Sequence, residues 1–99
     1  MLNIEKNNNG SELTIALKGR LDTTTAPQLE GEIRDSLEGC TKFVLDLKEL
    51  EYISSAGLRV LLSAQKVMNR QGEMTVKNVS PEVNEIFDVT GFSDILTIE

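Results

Sequence analysis

Residues 43–62, FVLDLKELEYISSAGLRVLL, combine the pattern of a strand with that of a helix. The run FVLDL over residues 43–47 is almost continuously apolar, which predicts a central strand covered on both faces. From Gly57 onward, apolar residues recur at the period of a helix with one buried face. That predicted buried face consists of Val60, Leu61, Ala64, Val67 and Met68, and Gly72 stands where such a helix ends. The stretch therefore predicts a buried strand followed by a helix.

The first part of the chain predicts a hairpin and a helix. Residues 12–18 alternate apolar and polar side chains, which is typical of a strand with one buried face. Residues 2–5 form a predicted short first strand, and NNNG at residues 7–10 is the predicted turn. A helix follows, with Pro27 in its first turn and Gly39 at its end. Its apolar residues at helical spacing are Leu29, Ile33 and Leu37.

The last third of the chain continues the alternation of strands and helices. Residues 74–76 predict a strand, and Ser80 followed by Pro81 predicts the start of a short helix that Gly91 ends. Residues 95–98 predict a final strand. The order is β-β-α-β-α-β-α-β, which indicates an α/β domain with helices packed on a partly parallel, mixed sheet of about five strands.

Composition limits what the chain can do. Its 99 residues predict a single domain over residues 1–99. The formal net charge of −6 opposes direct binding of nucleic acid or insertion at an anionic membrane. No apolar run is long enough to span a bilayer, and residues 1–10 lack the pattern of a secretory signal, so we expect a cytoplasmic protein.

The sequence offers little material for catalysis. Without histidine and with one cysteine, Cys40, it has no His-based nucleophile system, no internal disulfide and no soft-ligand metal site. Cys40 is expected to be a small, partly buried apolar residue. The phosphate-binding motifs GxxxxGK[ST] and GxGxxG are missing too. We therefore expect that the protein is not an enzyme, has no catalytic residue and binds neither a cofactor nor a metal.

Most carboxylates are expected on the surface, among them Glu30 and Glu32 on a helix and Glu49 and Glu51 in a loop. Asp46 differs because it lies inside an apolar strand, where an unpaired charge is costly. It either points to a polar sheet edge or accepts a backbone hydrogen bond.

Two serines precede the helix that starts near Gly57. Ser54 or Ser55 can be its N-cap, with the side-chain oxygen accepting a free backbone N–H. No Glu or Gln occupies the third helical position, and the small residues Ala56 and Gly57 leave a helix N-terminus that favours an anion. Local sequence favours the cap, while a phosphorylated serine would also be tolerated there.

Three segments together resemble the STAS-domain anti-sigma factor antagonists of bacteria. They are GRLDTTTAP at residues 19–27, residues 43–62, and SPEVNEIFDVTGF at residues 80–92, in the family's order and spacing. The resemblance implies a STAS fold and a binding protein rather than an enzyme. Its implied partners are an anti-sigma factor that is also a serine kinase, and a serine phosphatase. Binding would free a sigma factor, and phosphorylation of one serine would block binding.

The family pattern Asp-Ser-[Ser/Thr]-Gly-Leu matches residues 54–58, which implies Ser55 as the phosphorylated residue and Ser54 as the second choice. Ser54 replaces the usual Asp, and Ala56 replaces the second hydroxyl. Asp22 matches the aspartate of Gly-x-Leu-Asp, near the partner surface in relatives, although an ordinary turn carboxylate is the alternative. The implied partner-binding residues are Asp22, Thr23, Ser54, Ser55, Ala56, Gly57, Leu58 and Arg59.

A second hypothesis keeps the family but not the switch. In it the chain is a STAS interaction module of a lipid-transport or stress-signalling complex whose serine is never phosphorylated. A third hypothesis, an enzyme, has only the serine and nearby carboxylates in its favour.

Overall fold

The computed structural model of the chain describes residues 2–99 and contains one four-stranded sheet in the order β1-β2-β3-β4. The strands are β1 (Leu2–Asn9), β2 (Glu12–Leu21), β3 (Lys42–Ile53) and β4 (Glu73–Lys77); the helices are α1 (Ala26–Ser36), α2 (Ser55–Gln71) and α3 (Pro81–Thr90), followed by a 3₁₀ helix, Phe92–Asp94. β1 pairs antiparallel with β2, and the other pairs are parallel. The predicted α/β class and mixed sheet are confirmed.

Both crossover helices lie on the same side of the sheet. The chain steps from β2 through α1 to β3, and then through α2 to β4, in one direction along the sheet. Right-handed crossovers in one direction place their helices on one face, and α1 packs against α2. The fully buried side chains between helices and sheet include Leu13, Ile15, Leu17, Leu29, Phe43, Leu45, Leu47, Leu61 and Met68.

The prediction that the central strand is covered on both faces is wrong. On β3, Phe43, Leu45 and Leu47 are buried, whereas Val44 and Asp46 on the other face are only half-buried. One face stays partly open because neither crossover helix covers it. A short apolar run in an interior strand therefore does not require two helical layers.

Asp46, on this open face, accepts hydrogen bonds at 3.0 Å from the backbone N–H of Lys48 and from the side-chain amide of Asn78. Burial raises the pKa of Asp46, but these bonds and the charges of Lys77 and Lys48 outweigh it, so the pKa lies below its usual value. The backbone alternative left open by the sequence is correct, with a side-chain partner added.

All four strands are longer than predicted, and in β1 and β3 the extension replaces a predicted turn and a predicted loop. β1 continues to Asn9 and the turn is confined to Gly10 and Ser11, so residues 7–9 are strand rather than turn. β3 continues to Ile53, so the loop predicted around Glu49 and Glu51 does not exist. The β2–β3 register shifts at Ala16/Lys18 and at Gly19/Arg20, which breaks the alternation in the sequence and hides the strand.

The predicted last strand, residues 95–98, is reduced to a single parallel bridge between Val76 and Ile98. The sheet therefore has four strands rather than about five. On α2, Val67 is 40% exposed and does not belong to the predicted buried face. The prediction fails there because Val67 lies at the margin of the apolar stripe.

The predicted ends of α2 and α3 are confirmed, with one change of reason. The predicted end of α1 at Gly39 is wrong, because α1 ends at Ser36 with Leu37 as its C-cap. Ser80 caps α3 by accepting the N–H of Val83 at 3.2 Å, and Gly91 ends it with φ 84°. Gly72 caps α2 in an extended conformation, and a Cβ there would lie 2.0 Å from the carbonyl oxygen of Thr41. Gly72 is thus required by close backbone contact rather than by a left-handed turn.

Cys40 is buried, and burial raises the pKa of its thiol. Among residues 2–99 no helix combines the length and the apolar character needed to cross a bilayer. The same residues hold no group of three or more Cys, Asp or Glu side chains arranged to bind a metal ion.

Candidate functional site

The candidate site lies where β2 and β3 end side by side. Leu21 and Ile53 are paired at the last position of the two parallel strands. The N–H of the next residue, Ser54, donates a hydrogen bond of 2.9 Å to the carbonyl oxygen of Leu21. Asp22 and Ser54 therefore leave the sheet at the same edge, the carboxyl edge at which open α/β sheets bind their ligands.

The two serines have different structural roles. Ser54 is the N-cap of α2, and its hydroxyl oxygen accepts the N–H of Gly57 at 3.4 Å. Ser55 is the first helical residue and is exposed. Its hydroxyl makes no hydrogen bond within residues 2–99. The cap belongs to Ser54, and the Ser55 hydroxyl is accessible to another molecule.

Gly57 and Leu58 are buried and hold the start of α2 against the sheet. A Cβ on Gly57 would lie 2.7 Å from Cγ of Leu21 and 2.9 Å from Cγ1 of Ile53. The glycine is therefore required by packing. Of the sequence-predicted partner contacts, these two position Ser55 rather than offering a surface of their own.

Asp22 organises the loop between β2 and α1. Its Oδ1 accepts hydrogen bonds from the N–H and hydroxyl of Thr24, at 3.0 and 2.7 Å, and from the N–H of Thr25 at 3.2 Å. The Thr24 hydroxyl, with these amides, holds the pKa of Asp22 below its usual value against the effect of desolvation. Oδ2 has no partner within residues 2–99. Asp22 is thus a turn carboxylate with one oxygen left for another molecule, so the two sequence alternatives are compatible.

A groove of about 310 Å³ opens between α1 and α2 beside this loop. Of the predicted site residues, Thr23, Ala56 and Arg59 line it together. Sequence reasoning missed its remaining lining residues, which are Ala26, Pro27, Glu30, Val60 and Ser63. Their helical spacing could have placed them on facing sides of α1 and α2, but not in contact, because contact depends on how the helices pack.

Arg20 and Tyr52 form a second missed feature. They are paired on β2 and β3, and the Arg20 guanidinium lies 4.4 Å from the centre of the Tyr52 ring. Such a cation–π contact orders two side chains that are otherwise exposed. The pair was missed because a loop was predicted at Glu49 and Glu51, so no strand partner could be assigned to Tyr52.

The start of α2 carries no negatively charged side chain. The first turn has no acidic residue, and the first charged residue of the helix is Arg59. The unpaired N–H groups of a helix N-terminus carry a partial positive charge. A negative group on Ser55 would be stabilised by its own helix while changing the charge presented to a binding partner.

Comparison with known proteins agrees with this architecture. The STAS domain model matches residues 3–99, and the chain belongs to the STAS domain family. BtrV of Bordetella bronchiseptica, provisionally named an anti-sigma factor antagonist, is 41% identical over 88 residues, covering 87% of this chain and 76% of BtrV. The anti-sigma F factor antagonist of Paenibacillus polymyxa is 33% identical over 100 residues, covering 98% of this chain and 86% of that protein.

A solved structure shows the same fold. The Bacillus cell fate determinant SpoIIAA in its phosphorylated form superimposes with a TM-score of 0.77 at 18% identity, covering 98% of this chain and 91% of SpoIIAA. The expected STAS fold is thereby confirmed.

Proposed function

We propose that the chain is an anti-sigma factor antagonist that binds an anti-sigma factor with serine kinase activity and frees its sigma factor. Phosphorylation of Ser55 by that kinase switches binding off, and a serine phosphatase restores it. The protein acts in the cytoplasm as a single domain, and it binds rather than catalyses.

The proposal rests on the different structural roles of the Ser54 and Ser55 hydroxyls. The Ser54 hydroxyl is engaged in capping α2, whereas the Ser55 hydroxyl is exposed and free of hydrogen bonds within residues 2–99. A kinase can reach Ser55 without breaking the helix cap. Phosphorylation of Ser54 would instead modify the oxygen that caps α2.

The surroundings of Ser55 support a binding surface. The free oxygen of Asp22 and the groove lined by Thr23, Ala56 and Arg59 lie at the same edge of the domain. A phosphate on Ser55 adds a charge of about −1.5 to −2 within this surface. A partner that fits closely around the carboxylate of Asp22 would bind more weakly, because the phosphate on Ser55 adds bulk and has to be desolvated when the partner binds. The names of relatives support an antagonist of an anti-sigma factor, and SpoIIAA, a protein of the same fold, has a phosphorylated form.

The test is a phosphosite map. The chain is incubated with ATP and the serine-kinase anti-sigma factor of its host, and peptides covering residues 49–62 are analysed by mass spectrometry. The expected result is one phosphate on Ser55, lost in Ser55→Ala and retained in Ser54→Ala. Modification of Ser54 alone would contradict the assignment of the residue. A stable complex without any modification would instead support the non-phosphorylated interaction module.

A further inference from the structure

The exposed side of α3 carries an apolar residue that nothing in the fold covers. Val83 and Phe87 are buried on one side of the helix, whereas Glu82, Glu85 and Val89 recur at helical spacing on the other. Val89 is 77% exposed, more than any other large hydrophobic residue within residues 2–99. We call the surface formed by Glu82, Glu85 and Val89 the α3 face.

A second exposed aliphatic residue follows the 3₁₀ helix. The hydroxyl of Ser93 hydrogen-bonds Oδ1 of Asp88, which holds the 3₁₀ helix against α3. Ile95, directly after the 3₁₀ helix, is 44% exposed. Val89 thus belongs to α3 and Ile95 is the C-cap of the 3₁₀ helix, two elements that pack on each other.

The charge of the chain is concentrated around the same elements. Residues 78–99 contain the acidic residues Glu82, Glu85, Asp88, Asp94 and Glu99 and no Lys or Arg. That segment therefore carries a formal charge of −5 out of −6 for the whole chain. The ion pairs within residues 2–99 involve Glu30, Glu32 and Glu49, and none involves a carboxylate of α3.

We propose that the α3 face is a second protein-binding surface, whose partner presents Lys or Arg side chains around an apolar contact for Val89. Charge complementarity selects this occupant. Nucleic acid and anionic lipid would be repelled, and a second copy of the chain docking through the same face would oppose like charges. Protein interfaces combine apolar contacts with polar residues around them, and the α3 face offers both in Val89 and the two glutamates.

This surface and the candidate site described above are formed by different residues. α3 packs on β3 and on the 3₁₀ helix, whereas the groove beside Asp22 is formed by α1 and α2. The proposal therefore does not depend on phosphorylation of Ser55.

Site-specific photo-crosslinking tests it. The full chain with p-benzoylphenylalanine in place of Val89 is expressed in host cells, irradiated, and its products are mapped to the peptide by mass spectrometry. The same crosslinker in place of Val67, the exposed valine of α2, is the matched control. We expect a heterologous product at position 89, attached to a segment containing Lys or Arg, and not at position 67.

Charge variants decide whether that product reflects the proposed chemistry. We expect Glu82→Lys/Glu85→Lys to lower its yield by about tenfold or more, and Glu82→Gln/Glu85→Gln to lower it less. The neutral variant keeps the test valid if two lysines disturb the start of α3. The proposal is overturned by no product at position 89, by a crosslink to a second copy or to nucleic acid, by an attached segment without Lys or Arg, or by yields that ignore both substitutions.

Discussion

The N–H of Ser54 donates a 2.9 Å hydrogen bond to the carbonyl oxygen of Leu21, and this bond joins the end of β3 to the end of β2. It fixes the distance between the residues that follow, Asp22 on one chain segment and Ser55 on the other. The backbone therefore builds the candidate site, and the side chains around it supply the chemistry.

Removing the N-cap should destabilise the domain. Ser54→Ala deletes the oxygen that accepts the N–H of Gly57, and we expect a loss of about 1 kcal/mol in the free energy of unfolding. Ser54→Asp should keep the cap and place a negative charge at the helix N-terminus, so its stability should match or exceed that of the native chain. Urea denaturation measures both. Equal losses in Ser54→Ala and Ser55→Ala would show that the two serines are not distinct.

Gly57 and Gly31 form a matched pair of helical glycines. A methyl group at Gly57 meets Leu21 and Ile53, whereas at Gly31 nothing lies within 4 Å of the added Cβ. We expect Gly57→Ala to cost about 1–3 kcal/mol through overpacking. Gly31→Ala should stabilise by about 0.5–1 kcal/mol because it raises helix propensity. Thermal unfolding that moves in the same direction for both variants would contradict the packing assigned to Gly57.

Asp22 should contribute stability only while it is charged. Its pKa is lowered in the folded state from the model-compound value of 3.8, so the contribution is complete above that value and disappears as the pH falls through the folded pKa. Asp22→Asn should therefore be less stable than the native chain near neutral pH, and the difference should shrink as the pH falls below 3.8. Melting temperatures across this range measure the difference.

The control for this effect is Asp35→Asn on the exposed side of α1, where the carboxylate has no hydrogen-bond partner within residues 2–99. A stability loss that is the same at every pH for Asp22→Asn would show that the charge of Asp22 does not act on the loop.

Arg59 should contribute to partner binding through the groove. We expect Arg59→Ala to weaken binding of the anti-sigma factor by about tenfold, since truncating an interface arginine removes both packing and charge. Lys66→Ala changes another exposed cation of α2 that does not line the groove, and it should leave the affinity unchanged. Isothermal titration calorimetry provides the comparison. Equal losses would indicate general electrostatic attraction instead of a contact at the groove.

Local signals in the sequence were sufficient to predict α2 and α3. Ser80 with Pro81, and the apolar spacing after Gly57, each act within a few residues, and the structure confirms the helices they predict. The end of β3 could not be predicted because its irregular register with β2 depends on a partner strand more than 20 residues away. The final strand was overestimated because apolar residues near Ile98 pack on the core with only one bridge.

The candidate site was likewise predicted only in part. The residues that follow each strand were found from their order in the chain, whereas the groove and the Arg20–Tyr52 contact arise from pairs of elements that meet only after folding. Sequence alone also did not decide whether Ser54 or Ser55 is the N-cap of α2. The backbone geometry at Ser54, extended at φ −97° and ψ 176°, decides it.

We propose that charge on Ser55 controls partner binding, and the affinity for the host anti-sigma factor measures this control. Ser55→Asp should weaken binding by about tenfold or more, and Ser55→Ala should stay within about twofold of the native chain. Ser11→Asp adds the same charge in the β1–β2 turn, at the opposite end of β2, and should have no effect. Native affinity in Ser55→Asp, or the same loss in Ser11→Asp, would contradict the account.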